Sequence, residues 1–147
     1  MDAEAIGKYI LDTFDGVKAG VDTGNSFFFC DPQNKIPFIT IVMNDKYDDV
    51  SDLNRDGVFR LNIGIGKTTY RTMFPAEAAY DHDEGPKPEY DFTAIDRVMP
   101  HPAYAKMFWV CVLNPSDEMM GTVRTLLAEA YEIAVRKYER TRSVTSR

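Results

Sequence analysis

Phe59-Arg60-Leu61-Asn62-Ile63-Gly64-Ile65 carries an apolar side chain at every second position, with Arg60, Asn62 and Gly64 in between. Side chains alternate across a β-strand, so this spacing specifies a strand with one apolar and one polar side. Upstream, Ser26 to Cys30 and Pro37 to Met43 read as two more strands, joined as a hairpin by the turn formers of Asp31-Pro32-Gln33-Asn34-Lys35. Downstream, Phe108 to Leu113 is a fourth. These three are apolar at odd and even positions alike, so both faces of the sheet they build need cover.

Helices flank the strands. Ile6, Tyr9, Ile10, Thr13 and Phe14 recur at helical spacing, and Gly16 stands where a left-handed residue ends a helix. Ser116 is a good N-cap for a long closing helix whose buried stripe is Val123, Leu126, Leu127, Ala130, Tyr131, Ala134 and Tyr138. Between these, Thr68 or Thr69 is expected to cap a short helix through Tyr70, Met73 and Phe74, and Thr93-Ala94-Ile95-Asp96 to open a turn of helix closed by Pro100. Asp45 to Gly57 is a polar loop. Glu77 to Asp91, with six acids and two prolines, is expected to be an exposed, mobile one.

The fold class is therefore α+β: an antiparallel sheet of four or more strands with the N- and C-terminal helices on one face. The second face needs the middle segment, a bound ligand or a second subunit, so a homodimer is an open expectation. One domain is expected over residues 1–140, followed by a basic, disordered tail over 141–147.

With 147 residues and 44% hydrophobic composition, the chain is long enough for one core. Its formal charge is −6, and the five basic residues from Arg136 onward face only Glu139, so the part before them is more acidic still. Such acidity argues against nucleic acid as a partner, since duplex binding shows as a basic face. No run reaches the roughly 18 apolar residues of a spanning helix, and the opening Met-Asp-Ala-Glu lacks signal-peptide features. No membrane partner and a cytoplasmic location are expected. Cys30 and Cys111 each sit in an apolar run and are expected to be buried free thiols.

Several fragments resemble known site chemistry and fall short of it. Gly64-Ile65-Gly66-Lys67-Thr68 has the ending of a phosphate loop, but Leu61 stands where its first glycine is needed. Asp52-Leu53-Asn54-Arg55-Asp56-Gly57 matches the start of a calcium loop, but Ile63 occupies the position of its bidentate glutamate. Asp81, His82, Asp83 and Glu84 are potential ligands in a loop unsuited to hold them. No metal and no cofactor are expected.

Two constellations remain. His101, locked between Pro100 and Pro102, has Asp96 and Arg97 close by in sequence, the material of a base, its orienting carboxylate and an anion stabiliser. Arg60 and Asn62 share the polar side of their strand and, with Trp109 and Tyr70, can line a cleft on the sheet.

Phe27-Phe28-Phe29, Pro37 to Val42, Gly57 to Gly64, Asp96 to Pro102 and Trp109 to Pro115 together resemble a bacterial family catalogued only as a domain of unknown function. The likeness covers about Ile6 to Tyr138 and implies no activity. His101 to Lys137, with Trp109-Val110 leading into a helix that carries Tyr131, is more faintly similar to the YjbR/MmcQ group. That resemblance implies a small antiparallel α/β fold and, for some members, DNA binding.

The leading expectation is a domain that binds a small molecule or protein through the sheet face of Arg60, Asn62, Tyr70 and Trp109. The alternatives are a small hydrolase or transferase using His101 and Asp96, and nucleic-acid binding through the basic tail.

Overall fold

A computed structural model describes residues 1–31, 36–75 and 89–145. Helix α1 spans Ala3–Thr13, and β1 (Lys18–Asp22) and β2 (Asn25–Phe29) follow as a hairpin. Strands β3 (Ile39–Val42) and β4 (Arg60–Gly64) continue the meander into the short helix α2 (Lys67–Met73). Then come β5 (Met99–Pro100), a 3-10 turn over Ala105–Met107, β6 (Trp109–Leu113) and the long helix α3 (Asp117–Thr145). The six strands lie in the order β1-β2-β3-β4-β6-β5, and every paired neighbour is antiparallel. Strands β1 and β5 form the two edges.

The alternation of β4 sorts the sheet into two sides. Leu61 and Ile63 face the terminal helices, where they join Phe28, Ile39, Ile41, Val110 and Val112. Ile6, Ile10 and Phe14 from the N-terminal end and Met120, Val123, Leu126, Leu127 and Ala130 from α3 close this core. Full burial stabilises each such side chain by roughly 1.5–3 kcal/mol, so the two helices are held chiefly by this one layer. Asp2 caps α1 through Ala5 N (2.8 Å), and Ser116 caps α3 through Met119 N (3.1 Å). The expected α+β class, the β2–β3 hairpin and both terminal helices are all present.

The second side has a core of its own. Val42, Leu53, Val58, Met99, Cys111 and Leu113 are buried together, with Tyr90 and Phe92 against them. Of the three possible covers, the middle of the chain supplies this one: the loop after β3 and the segment leading into β5 lie over β4 and β6.

Two strands beyond the four located in the sequence complete the sheet, within the four or more expected, and two local expectations are corrected. Strand β1 is a fifth strand, mostly exposed and therefore without an apolar signature; the turn Thr23-Gly24, with φ of 50° and 85°, folds it onto β2. Strand β5 is a sixth, only two residues long. Thr93 to Asp96 forms no helix: Ile95 makes a parallel bridge to Leu113, and Asp96 sits at φ 61°. The N-cap of α2 is Gly66, not Thr68 or Thr69. Backbone helix in α3 continues to Thr145, through most of the basic segment. No helix among the described residues is long and apolar enough to cross a membrane. Asp81, His82, Asp83 and Glu84 lie outside the described residues.

Candidate functional site

Because Leu61 and Ile63 face the helices, Arg60 and Asn62 point to the second side, where both are buried at 1% and 2% exposure. Neither lies on a solvated strand face. A guanidinium taken out of water requires a partner for nearly every donor. Arg60 Nη1 donates to Asp48 Oδ1 and Ser51 Oγ, both at 2.9 Å; Nη2 donates to Asp48 Oδ2 at 2.7 Å; Nε donates to Asn62 Oδ1 at 3.1 Å. Asn62 Nδ2 passes the chain on to Thr40 Oγ1 at 2.9 Å. The Arg60 hydrogen bonds hold the Asp48 carboxyl below the usual carboxylate range, against the opposing effect of its partial burial. Arg60 can stabilise no external anion while Asp48 keeps this seat.

His101 stands one sheet row away. Its backbone N–H donates to Trp109 O at 2.9 Å, which fixes the register beyond β5. Pro102 turns the chain so that the N–H groups of Ala103 and Tyr104 both donate to Nδ1 at 3.0 Å. An Nδ1 that accepts carries no proton, so the neutral ring bears its hydrogen on Nε2. The side-chain hydrogen bonds of His101 among the described residues are both at Nδ1, and since no buried side-chain nitrogen there lacks a partner, Nε2 reaches the surface. Burial first, and the Arg60 charge second, lower the pKa of His101 from 6.5 to about 4; Asp48 opposes them. This imidazole offers a hydrogen at Nε2 and has no vacant nitrogen to take one.

Asp96 is elsewhere. Its N–H donates to Leu113 O and its Oδ1 accepts from Ser116 N, both at 2.7 Å, so it supports the start of α3. Leu113 and Trp109 are four strand residues apart, about 13 Å, which separates Asp96 from His101. Arg97 is exposed. Tyr70 packs in the helix-side core against Phe74 and Phe108, away from Trp109.

The rings of His101, Tyr104 and Trp109 form a triangle, with centroids 4.9, 6.3 and 6.4 Å apart. Trp109 lies flat over Gly64, its cross-strand neighbour: a Cβ there would come within 2.9 Å of the indole. The indole is half-buried and Tyr104 is 55% exposed, so an aromatic corner opens beside a buried imidazole.

The remaining motif fragments have internal occupants. Glu129 of α3 accepts from Gly66 N at 2.8 Å and from Thr69 Oγ1 at 2.5 Å, so a carboxylate fills the turn that resembles a phosphate loop. In the calcium-like segment Arg55 donates to Asp52 O at 2.8 Å, Ser51 O at 2.9 Å and Thr93 O at 3.0 Å. No group of three potential ligands able to hold a metal occurs among the described residues. Cys30 and Cys111 are free thiols. Cys111 is buried, faces Pro100 O at 3.7 Å and has its pKa pushed up to about 12 by burial; Cys30 is only partly buried.

Residues 1–143 match a family of unknown function, DUF6194. The chain belongs to this family. No curated protein and no solved structure matches it. In this DUF6194 chain, the residues that sequence reasoning overlooked are Asp48, Ser51, Thr40, Gly64, Tyr104 and Glu129. A signal for Asp48 existed: an arginine in the middle of a strand between two covered strands demands a carboxylate, and Asp45 to Asp52 is the nearest acidic stretch.

Proposed function

We propose that this DUF6194 domain binds a small molecule or a protruding partner group at the corner of Trp109, Tyr104 and His101. One observation carries the reading. His101 is 95% buried, but among the described residues no buried side-chain nitrogen or oxygen lacks a partner, so its unpartnered Nε2–H reaches the surface, beside the rings of Tyr104 and Trp109. Ligand sites combine aromatic walls with a few oriented polar groups, and a ring fixed through Nδ1 holds its Nε2–H in one direction.

In this reading Arg60 and Asn62 support the site from behind, and Tyr70 supports the opposite core. The same geometry disfavours a hydrolase or transferase with His101 as base, because Nδ1 is committed to two amides and Asp96 serves another helix. The free thiols fit a reducing, cytoplasmic setting. A second subunit is not required to bury Arg60.

The test is a thermal-shift screen of metabolites read together with the emission of Trp109, the single tryptophan. A ligand at the corner raises Tm and changes that emission with the same midpoint. Stabilisation by ligands that leave the indole signal untouched would move the site elsewhere.

A further inference from the structure

The chemistry of the corner narrows its ligand. A ligand that displaces water from the Nε2 hydrogen must replace it with an acceptor: a carbonyl oxygen, a ring nitrogen or an anionic oxygen. A full negative charge is poorly served there, for three reasons. The imidazole cannot become a cation without giving up both amide hydrogen bonds at Nδ1. The buried cation whose charge reaches His101, Arg60, is already neutralised by the Asp48 carboxylate. The chain as a whole carries −6.

The walls are equally selective. Trp109 presents a flat indole because Gly64 beneath it has no side chain, and the Tyr104 ring stands beside it with more than half its surface open. Flat aromatic surfaces favour a stacked planar ring.

Resting on the binding reading above, we infer that the corner takes an uncharged planar heteroaromatic ring whose edge carries a carbonyl or ring-nitrogen acceptor, held on Trp109 and hydrogen-bonded by His101 Nε2. The free ring or its neutral glycoside fits this description; a phosphorylated form does not.

The experiment follows the single indole N–H cross-peak of the full chain by NMR during titration with nicotinamide, benzoate and toluene. The three have similar ring size and differ in acceptor and charge. Nicotinamide is expected to shift the peak saturably, with toluene about tenfold weaker, the scale of one hydrogen bond left unmade, and benzoate about tenfold weaker because its charge loses water with no free cation to receive it. His101→Phe, which keeps a ring and removes the donor, is expected to weaken nicotinamide by about tenfold, and His101→Gln, which keeps a donor, to recover much of it.

Equal binding of benzoate or toluene would overturn the ligand class while leaving a binding corner in place. Saturable binding of nicotinamide unchanged by His101→Phe would overturn the role of Nε2. Absence of a saturable shift with all three would overturn both this inference and the binding reading. The comparison of probes on the parent chain decides the ligand class even if a variant fails to fold.

Discussion

Arg60 and Asp48 meet edge to edge beneath the loop that follows β3, Nη1 to Oδ1 at 2.9 Å and Nη2 to Oδ2 at 2.7 Å, with the guanidinium only 2% and the carboxylate 30% exposed. The pair ties a covering loop to a central strand, and its two halves are far from equal in solvation. Asp48→Asn should therefore leave a buried cation and cost about 3 kcal/mol in urea unfolding, the lower end for buried pairs because Asp48 still reaches water. The double replacement Asp48→Leu, Arg60→Met should cost less than the single one. The lowered carboxyl pKa adds a pH signature: its stabilisation is present above about pH 4 and disappears as pH falls through the folded value, and Asp48→Asn should lack that loss.

His101 titrates in the opposite sense to an exposed histidine that gains a partner. Its folded pKa of about 4 lies below the ordinary 6.5, so between these values the unfolded chain binds a proton that the folded chain refuses. Stability should be complete above pH 6.5 and fall by roughly 2–3 kcal/mol on reaching pH 4.5. Urea unfolding at pH 7.5 and 4.5 measures the drop. His101→Gln should reduce it by most of that amount; an unchanged pH slope in the variant would contradict the buried neutral imidazole.

Gly64→Ala should push the indole off the sheet, since the added carbon would stand 2.9 Å from Trp109. The expected cost is about 1–3 kcal/mol for overpacking, with a red shift of tryptophan emission as the ring moves toward water. An unshifted spectrum at full stability would mean that the indole does not depend on the bare glycine.

Glu129→Ala should loosen α2 without disturbing the sheet. It removes the acceptor for Gly66 N and Thr69 Oγ1, and the loss of a helix cap is worth about 1–2 kcal/mol. Hydrogen exchange should quicken across Lys67–Met73 and stay unchanged in β4 and β6.

How much of this was legible follows from which forces write themselves into sequence. The alternation of Phe59 to Ile65 and the stripe from Val123 to Tyr131 are hydrophobic patterns, and they identified a strand and a helix directly. Strand β1 escaped because an exposed edge strand such as Lys18–Asp22 has no face to bury; only the Thr23-Gly24 turn hinted at it. Asp96 misled for a different reason. Its closeness to His101 in sequence looked like a catalytic pairing, but an extended strand carries neighbours apart at about 3.3 Å per residue, and the carboxylate went to a helix start. Trp109 and His101 do come together across β6, while the long-range partners Asp48 and Glu129 depend on tertiary placement that no local spacing encodes.

The two rims of the sheet differ in what they offer another strand. On one side, β5 is two residues long and ends in Pro100, which has no amide hydrogen to give; on the other, β1 presents five residues of open backbone. Among the described residues, the β1 rim is the better suited of the two for joining copies of this chain through their backbones. Two identical β1 rims pairing antiparallel about a two-fold axis satisfy each other, so growth through that rim ends at a pair.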